Sequence, residues 1–585
     1  MNRDKDSGTV FYKCAGCGLQ IGDTPQDILP LEEAIVALSR SNDSPSPPLL
    51  CEDIRRRYVE ASECVATLDF QIKELFHGLA ALQEARRRMI ERKQLCASFL
   101  HPIRRLPPEI LSEIFRICTF DDVQDVTFCY DDQAEYRRFP ASLNTNRAPW
   151  VLGQVCRTWR FAALSTSELW ASINLAWLHT PENATDSLKF LLELQLQRSG
   201  ESPLAISLHT GTYPEEHVRR EFLTSLICSQ ISRWEEASIE GDPGGFAPLR
   251  PHRKLLPSLK TLHLSLIYDS LWEAKPLFVF ENSPLLRRFV MGGFANFFQS
   301  EGQLPWRQLT HFVSRESEYW FPALWEHYLI LSKLCNIEVL VLDTEFSDND
   351  GAPPSLHPTL ELRYLHTLVL VHKVDPGFED EPGIKQLLDW LILPALRILR
   401  LPAGFDCPAS LIDFSNRSRC SLEEFTVLDV EHNVTTASAY PDVFVELLKA
   451  DALQSLHTLQ LGGMKWARKN EGQELLDTFF RALTTGGTSP LVLPKLRHVV
   501  LHYTDMAWDD EAFVEMVASR RRVQTEPDMT SRGACQLEEV TFWNFGQKGT
   551  NVLDGMDRRS QMIQLCSTGL ICNSYWGELD WYTIQ

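Results

Sequence analysis

At 585 residues, with 44% hydrophobic and 23% charged residues, the chain is too long for one ordinary core and too apolar for general disorder. Its formal charge of −21 repels nucleic acid, and no basic patch interleaved with aromatics overrides that field. The first residues, MNRDKDSGTVFYKCAGCG, hold no apolar run of signal-peptide length, and no later stretch runs about 18 residues without charge, so no membrane span is expected. Fifteen scattered cysteines fit reduced thiols, and the reading is a soluble protein of the cytoplasm, the nucleus or both.

Residues 1–50 are rich in small and polar residues and end in SRSNDSPSPP. Such a composition does not repay the entropy of ordering, so a disordered tail is expected. Cys14 and Cys17 form a C-x-x-C, but no second pair follows at ribbon or finger spacing, and no metal is assigned. Over 51–100 the apolar positions step alternately by four and three: Ile54, Tyr58, Ala61, Val65, Leu68, Ile72, Leu75, Leu79, Leu82. That is the heptad seam of a coiled-coil-like helix. Two readings stay open. Residues 52–95 pair with a second copy or a partner helix, or the helix folds back on its own domain; Gly78 and the arginines of ARRRMIERK weaken a free-standing coil.

The span 101–178 holds two bulky apolar stretches. In LPPEILSEIF (106–115) the prolines lack only N–H groups that a first turn leaves unpaired anyway, and Glu109 complements the helix dipole. Ile110, Ile114 and Cys118 make one row, Leu111 and Phe115 the next, so apolar surface covers nearly half the helix. PWVLGQVCRTWRFAALSTSELW (149–170) reads as two or three further short helices. Within it STSE (165–168) has the capping-box form ahead of Leu169 and Trp170. Between the stretches, 119–148 carries Asp121, Asp122, Asp125, Asp131 and Asp132 and reads as a solvated insertion.

Over 200–585 a pattern L-x-x-L-x-L recurs ten times, beginning at Leu259, Leu286, Leu309, Ile337, Leu365, Leu396, Leu422, Leu456, Leu496 and Leu537, with WEEASI at Trp234 as a degenerate first unit. Steps of 23 to 41 residues bracket the period of leucine-rich repeats, in which each unit gives one short parallel strand and a return segment. No single unit buries its apolar face, so units stack into a solenoid. The fold class is therefore α/β, a leucine-rich-repeat horseshoe preceded by an all-α module and a heptad helix. LP introduces three units, placing proline at the start of a strand.

The residue between the last two apolar positions of each unit points away from the core. In order these are His263, Val290, Val313, Val341, Val369, Arg400, Thr426, Gln460, Val500 and Thr541. The valines read either as an apolar strip for an extended partner segment, flanked by His263 and by Arg400, Gln460, His502 and Trp543, or as simple strand propensity, since valine is favoured on any pleated surface. No P-loop, nucleophile elbow, H-E-x-x-H or dinucleotide fingerprint occurs, and HTGTYPEEH (209–217) lacks metal-ligand spacing. The chain is not expected to be an enzyme.

LPPEILSEIF followed by VCRTWRFAALSTSELW resembles the F-box, the helical module through which F-box proteins dock on the Skp adaptor of cullin-based (SCF) ubiquitin ligases. The resemblance is carried by Leu106, Pro107, Glu109, Ile110, Leu111, Ile114 and Phe115, then Val155, Cys156, Arg157, Trp159, Leu164, Leu169 and Trp170. It covers about 65 of 585 residues. With the repeats that follow, the chain is similar to the large fungal families of F-box proteins with leucine-rich repeats. In a compact F-box the two halves are nearly adjacent, and the 119–148 insertion departs from that. The resemblance implies a substrate-recognition subunit with no cofactor, in which Leu106, Pro107, Ile110, Leu111, Ile114, Phe115, Val155, Cys156, Trp159, Leu164 and Trp170 meet Skp, and through it cullin, while the repeat face binds a protein substrate. The alternative is a scaffold that joins two partners through the heptad helix and the solenoid, without any ligase.

Overall fold

A computed structural model of the chain describes residues 12–13, 20–21, 36, 40, 48–120, 142–175, 185–209, 224–241, 248–249, 251, 256–266, 278–292, 304–315, 324–343, 359–371, 383–402, 408–428, 441–462, 478–485, 492–503, 510–522, 535–544 and 559–576. It divides into two units, Met1–Pro107 and Pro108–Gln585.

The first unit is dominated by α1, Pro48–Leu100, a helix of 53 residues and therefore about 80 Å long. Charged residues one turn apart tie its surface together: Arg57 to Asp53 at 2.8 Å, Arg87 to Glu84 at 2.7 Å and to Glu91 at 2.6 Å. Gly78 does not break the helix, and a Cβ there would meet nothing. Within 1–50, Tyr12–Lys13 and Gln20–Ile21 pair as short antiparallel strands, whereas Cys14 and Cys17 lie outside the described residues.

The second unit begins with α2 (Pro108–Phe120), α3 (Leu152–Val155), α4 (Arg157–Ser165) and a 3-10 turn, Ser167–Trp170. Two expectations need correction here. Ser165 and Thr166 make no capping box: both hydroxyls bond back to the Ala162 carbonyl, at 3.0 and 2.9 Å, because Ser165 is the last residue of α4 rather than a cap. The insertion is not solvated throughout. Residues 121–141 lie outside the described residues, but Ser142 and Leu143 are buried. The Ser142 hydroxyl donates to the Ser172 carbonyl at 3.2 Å, and its own carbonyl accepts from Trp150 Nε1 at 2.7 Å.

From Ser172 the described chain builds, beside a separate short parallel pair, Leu360–Glu361 with Leu391–Ile392, one sheet of fourteen parallel strands in sequence order. They are β1 (Ser172–Asn174), β2 (Leu204–His209), β3 (Trp234–Gly241), β4 (Thr261–Leu266), β5 (Arg288–Gly292), β6 (His311–Arg315) and β7 (Val339–Asp343). Then follow β8 (Thr367–Val371), β9 (Ile398–Pro402), β10 (Glu424–Leu428), β11 (Thr458–Gly462), β12 (His498–Tyr503), β13 (Glu539–Asn544) and β14 (Ile571–Trp576). All ten L-x-x-L-x-L stretches lie on β4 to β13, one strand each, and their leading apolar residues are buried. The sheet also starts earlier than the repeat pattern, inside 101–178.

The reason is period. Residues two apart on a strand share a face, so the last two apolar positions enter the core together, and the leading one, three residues earlier, caps them. One contiguous core runs from Leu143 to Leu570. Return segments carry helices, among them α5 (Thr185–Arg198), α6 (Leu324–Leu331), α7 (Gly383–Trp390), α8 (Pro408–Ser418), α9 (Pro441–Leu448), α10 (Asp510–Arg522) and α11 (Arg559–Ser567), with α7, α8 and α9 packed in succession. The LP prolines stand ahead of the strands, not at their start. Leu396 N–H bonds the Leu393 carbonyl at 3.3 Å and Leu496 N–H the Leu493 carbonyl at 3.2 Å, so Pro394 and Pro494 take the second position of a turn.

Candidate functional site

Two surfaces of the second unit hold all but Leu106 and Pro107 of the contact residues that the sequence singles out. In the helical module, Leu111, Phe115 and Thr119 form the inward row of α2, and Ala162 and Ala163 the inward face of α4. The Phe115 ring meets Trp159 with centroids 5.0 Å apart, so the two halves close on each other despite the insertion. Polar contacts fix the angle: the Thr166 and Ser112 hydroxyls hydrogen-bond at 2.8 Å, and Arg116 bridges to Glu168 at 2.7 Å. Cys156 caps α4, its sulfur accepting from Trp159 N–H at 3.5 Å.

Trp170 anchors the module beneath. Its Nε1 donates to the Ala163 carbonyl at 2.8 Å, and its ring meets Trp150 edge-on at 5.0 Å. The Arg198 guanidinium of α5 lies 4.4 Å from the Trp170 centroid and 4.9 Å from that of Trp150, a cation–π arrangement whose burial lowers the pKa of Arg198.

The eleven residues expected to meet an adaptor therefore separate by depth. Leu111, Phe115 and Trp170 are at most 1% exposed and hold the module together. They cannot also be contact surface. Ile110 (48% exposed), Val155 (58%), Leu164 (45%) and Cys156 face solvent, with Ile114 and Trp159 half-buried. Leu106 and Pro107, half-buried and exposed, belong to the first unit. The sequence reading passed over Ile117 and Phe161, which are 48% and 65% exposed. Phe161 and Leu164 line an open concavity of about 440 Å³ with Arg157, Arg160 and Ser165. Phe161 and Leu164 sit three apart on a helix whose alanines already face inward, a signal that the sequence did contain.

On the sheet, the predicted row is one unbroken register. His263 pairs with Val290, then come Val313, Val341, Val369, Arg400, Thr426, Gln460, Val500 and Thr541. The expected accessible strip is corrected, however. Val341 and Val369 are 1% and 0% exposed and His263 is 7%, although the valines stand outside the main core. Branched side chains on adjacent parallel strands, about 4.8 Å apart, wall one another in, and Val339, Thr367 and Val371 on the same face are buried with them.

Polar side chains flank that apolar layer. Arg400 donates from Nε to Glu424 at 3.0 Å in a half-buried pair, and Thr426 reaches the same carboxylate at 3.5 Å. Glu539 accepts from Thr541 at 2.9 Å and from Asn573 at 2.7 Å. His311, bonded to Thr310 Oγ1 at 2.9 Å, has its pKa lowered by burial and then by Arg288. Gln460 is half-buried, and the side chains of His502 and Trp543 lie outside the described residues. Among the described side chains of the predicted substrate surface, Arg400 and Gln460 are half-buried and His263, Val341 and Val369 are buried.

Among the described residues no group of three or more His, Cys, Asp or Glu is placed to hold a metal ion, and no helix is long and apolar enough to cross a membrane. His209 ends β2, and 210–217 lie outside the described residues. Burial pushes the thiols of Cys228 and Cys420 up to about 12 and about 11, away from the thiolate form.

No family model matches the chain, and no curated protein matches it in sequence. Among solved structures, a protein from Bacteroides fragilis is 11% identical, with a TM-score of 0.29, covering 62% of this chain and 84% of its own. The leucine-rich repeat-containing protein LegL7 from Legionella pneumophila is 14% identical, with a TM-score of 0.30, covering 56% of this chain and 100% of its own. At such scores the repeat architecture rests on this chain's own strand order and register.

Proposed function

We propose that the second unit is a protein-recognition adaptor of the SCF ubiquitin-ligase type. Its helical module docks on a Skp adaptor, and its repeat array engages a protein substrate. The observation that carries the reading is the double face of α2 and α4. Their inward residues are fully packed, while Ile110, Val155, Phe161 and Leu164 remain about half exposed or more. Apolar side chains of that size gain from burial only against another chain. An adaptor needs no catalytic residues of its own, since holding a substrate near a charged ubiquitin carrier raises its effective concentration.

The test is co-purification of the full chain with Skp adaptor and cullin from reconstituted components. The wild-type chain should be retained, and Ile110→Glu with Phe161→Glu, both at exposed positions, should be lost from the complex while keeping its circular dichroism. Failure of the wild-type chain to bind overturns the proposal. A scaffold outside any ligase is favoured by a separate observation, the exposed apolar seam of α1.

A further inference from the structure

Among the described residues most of the seam of α1 is open to solvent, with Ile54 and Leu68 half-buried. Tyr58 is 73% exposed, Val65 56%, Ile72 50%, Leu79 51%, Leu82 57% and Met89 61%. A long helix in water draws most of its stability from packing an apolar face, so a surface of this kind is built to be covered. We propose that its occupant is α1 of a second copy, packed antiparallel about a centre between Lys73 and Glu74.

Taking the areas that transfer scales imply, roughly 60–120 Å² per aliphatic and 150–250 Å² per aromatic side chain, the exposed seam with Phe76 beside it comes to about 600 Å² per chain. A pair then buries about 1,200 Å², where specific stable interfaces begin. Charge selects the direction. Residues 48–70 carry five acidic and three basic residues, and 77–99, the stretch that the antiparallel pairing sets against them, carry two acidic and five basic.

The heptad register agrees. Arg86 and Lys93 continue the seam, and a parallel pair would stack each against its own copy. Antiparallel pairing sets Arg86 opposite Ala61, large against small, and joins Val65 to Leu82, Leu68 to Leu79 and Ile72 to Leu75 without a polar interruption. It also brings Cys51 opposite Cys96. Within one helix these two cysteines are 45 positions apart in sequence, about 68 Å at 1.5 Å per residue, so a short link between them joins two chains. The inference is independent of the adaptor reading, which rests on the second unit.

The experiment uses the full chain. Sedimentation should give a concentration-dependent dimer, and a short bifunctional thiol reagent followed by peptide mass spectrometry should give a Cys51–Cys96 link that either Cys51→Ser or Cys96→Ser abolishes. Leu75→Asp with Leu79→Asp should weaken the dimer at least 100-fold while leaving Skp binding unchanged. A monomer at all concentrations, or a dimer whose links are Cys51–Cys51 and Cys96–Cys96, overturns the proposal. So does a dimer indifferent to the two aspartates, the result expected if the seam packs on its own chain.

Discussion

Replacing Phe115 with alanine separates the packing role of α2 from its surface role. The ring is fully buried and lies 5.0 Å from Trp159. Truncating a buried phenylalanine costs about 3–5 kcal/mol, the spread reflecting how far the site collapses, and the aromatic pair supplies about 1 kcal/mol of it. Phe115→Leu keeps most of the volume and should cost less than about 1.5 kcal/mol. Ile110→Ala, on the same helix but 48% exposed, should stay within about 1 kcal/mol of wild type. The assay is urea unfolding followed by tryptophan fluorescence, because Trp150, Trp159 and Trp170 all report on this module. If Phe115→Ala moved the transition no more than Ile110→Ala, the inward and outward rows of α2 would be misassigned.

Arg520 offers a second stability test. It is 1% exposed, and its guanidinium donates to the carbonyls of Leu483, Val492 and Leu493 at 2.8, 2.6 and 3.0 Å. Arg520→Met removes donors worth roughly 6 kcal/mol to three buried acceptors. Burial pushes the arginine down to about 10 from 12.5, and a methionine is spared that desolvation, which offsets part of the loss. The net loss should be about 3 kcal/mol by denaturant titration, and no loss would show that the three carbonyls find other partners. For His311, burial and Arg288 favour the neutral ring in the folded state. The unfolded chain therefore binds more protons as pH falls through about 6.5, and stability that is present above that pH is lost below it. Thermal midpoints at pH 7.5 and 5.5 should differ less in His311→Gln than in wild type; equal differences would assign the pH response to other groups.

Much of the sheet is legible in the sequence because the leading leucine and the two alternating positions after it, as in Leu365, Leu368 and Leu370, have only one way to become buried together. The strands that depart from the pattern show its limit: β3 is the degenerate first unit at Trp234, and β1, β2 and β14 escape it. At β1 and β3 the leading place is held by Trp170 and Trp234, both buried, and at β2 and β14 by Pro203 and Gly569. A bulky indole fills the same space as leucine, while proline and glycine mark the place by shape and not by hydropathy. The direction in which Val341 and Val369 point follows from strand alternation, but their burial does not. It arises from neighbours about 28–31 residues away in sequence, brought to about 4.8 Å by the sheet. For the same reason the depth of each F-box-like residue became visible only once α2 and α4 were packed.

Docking of the helical module on a Skp adaptor is tested most directly by a calorimetric titration of the full chain with purified Skp adaptor, run beside Ile110→Glu. The wild-type chain should bind saturably and one to one, and the variant, unfolding at the same urea concentration, should lose at least 100-fold in affinity. Absence of wild-type binding, or equal affinity for the two proteins, would contradict that docking.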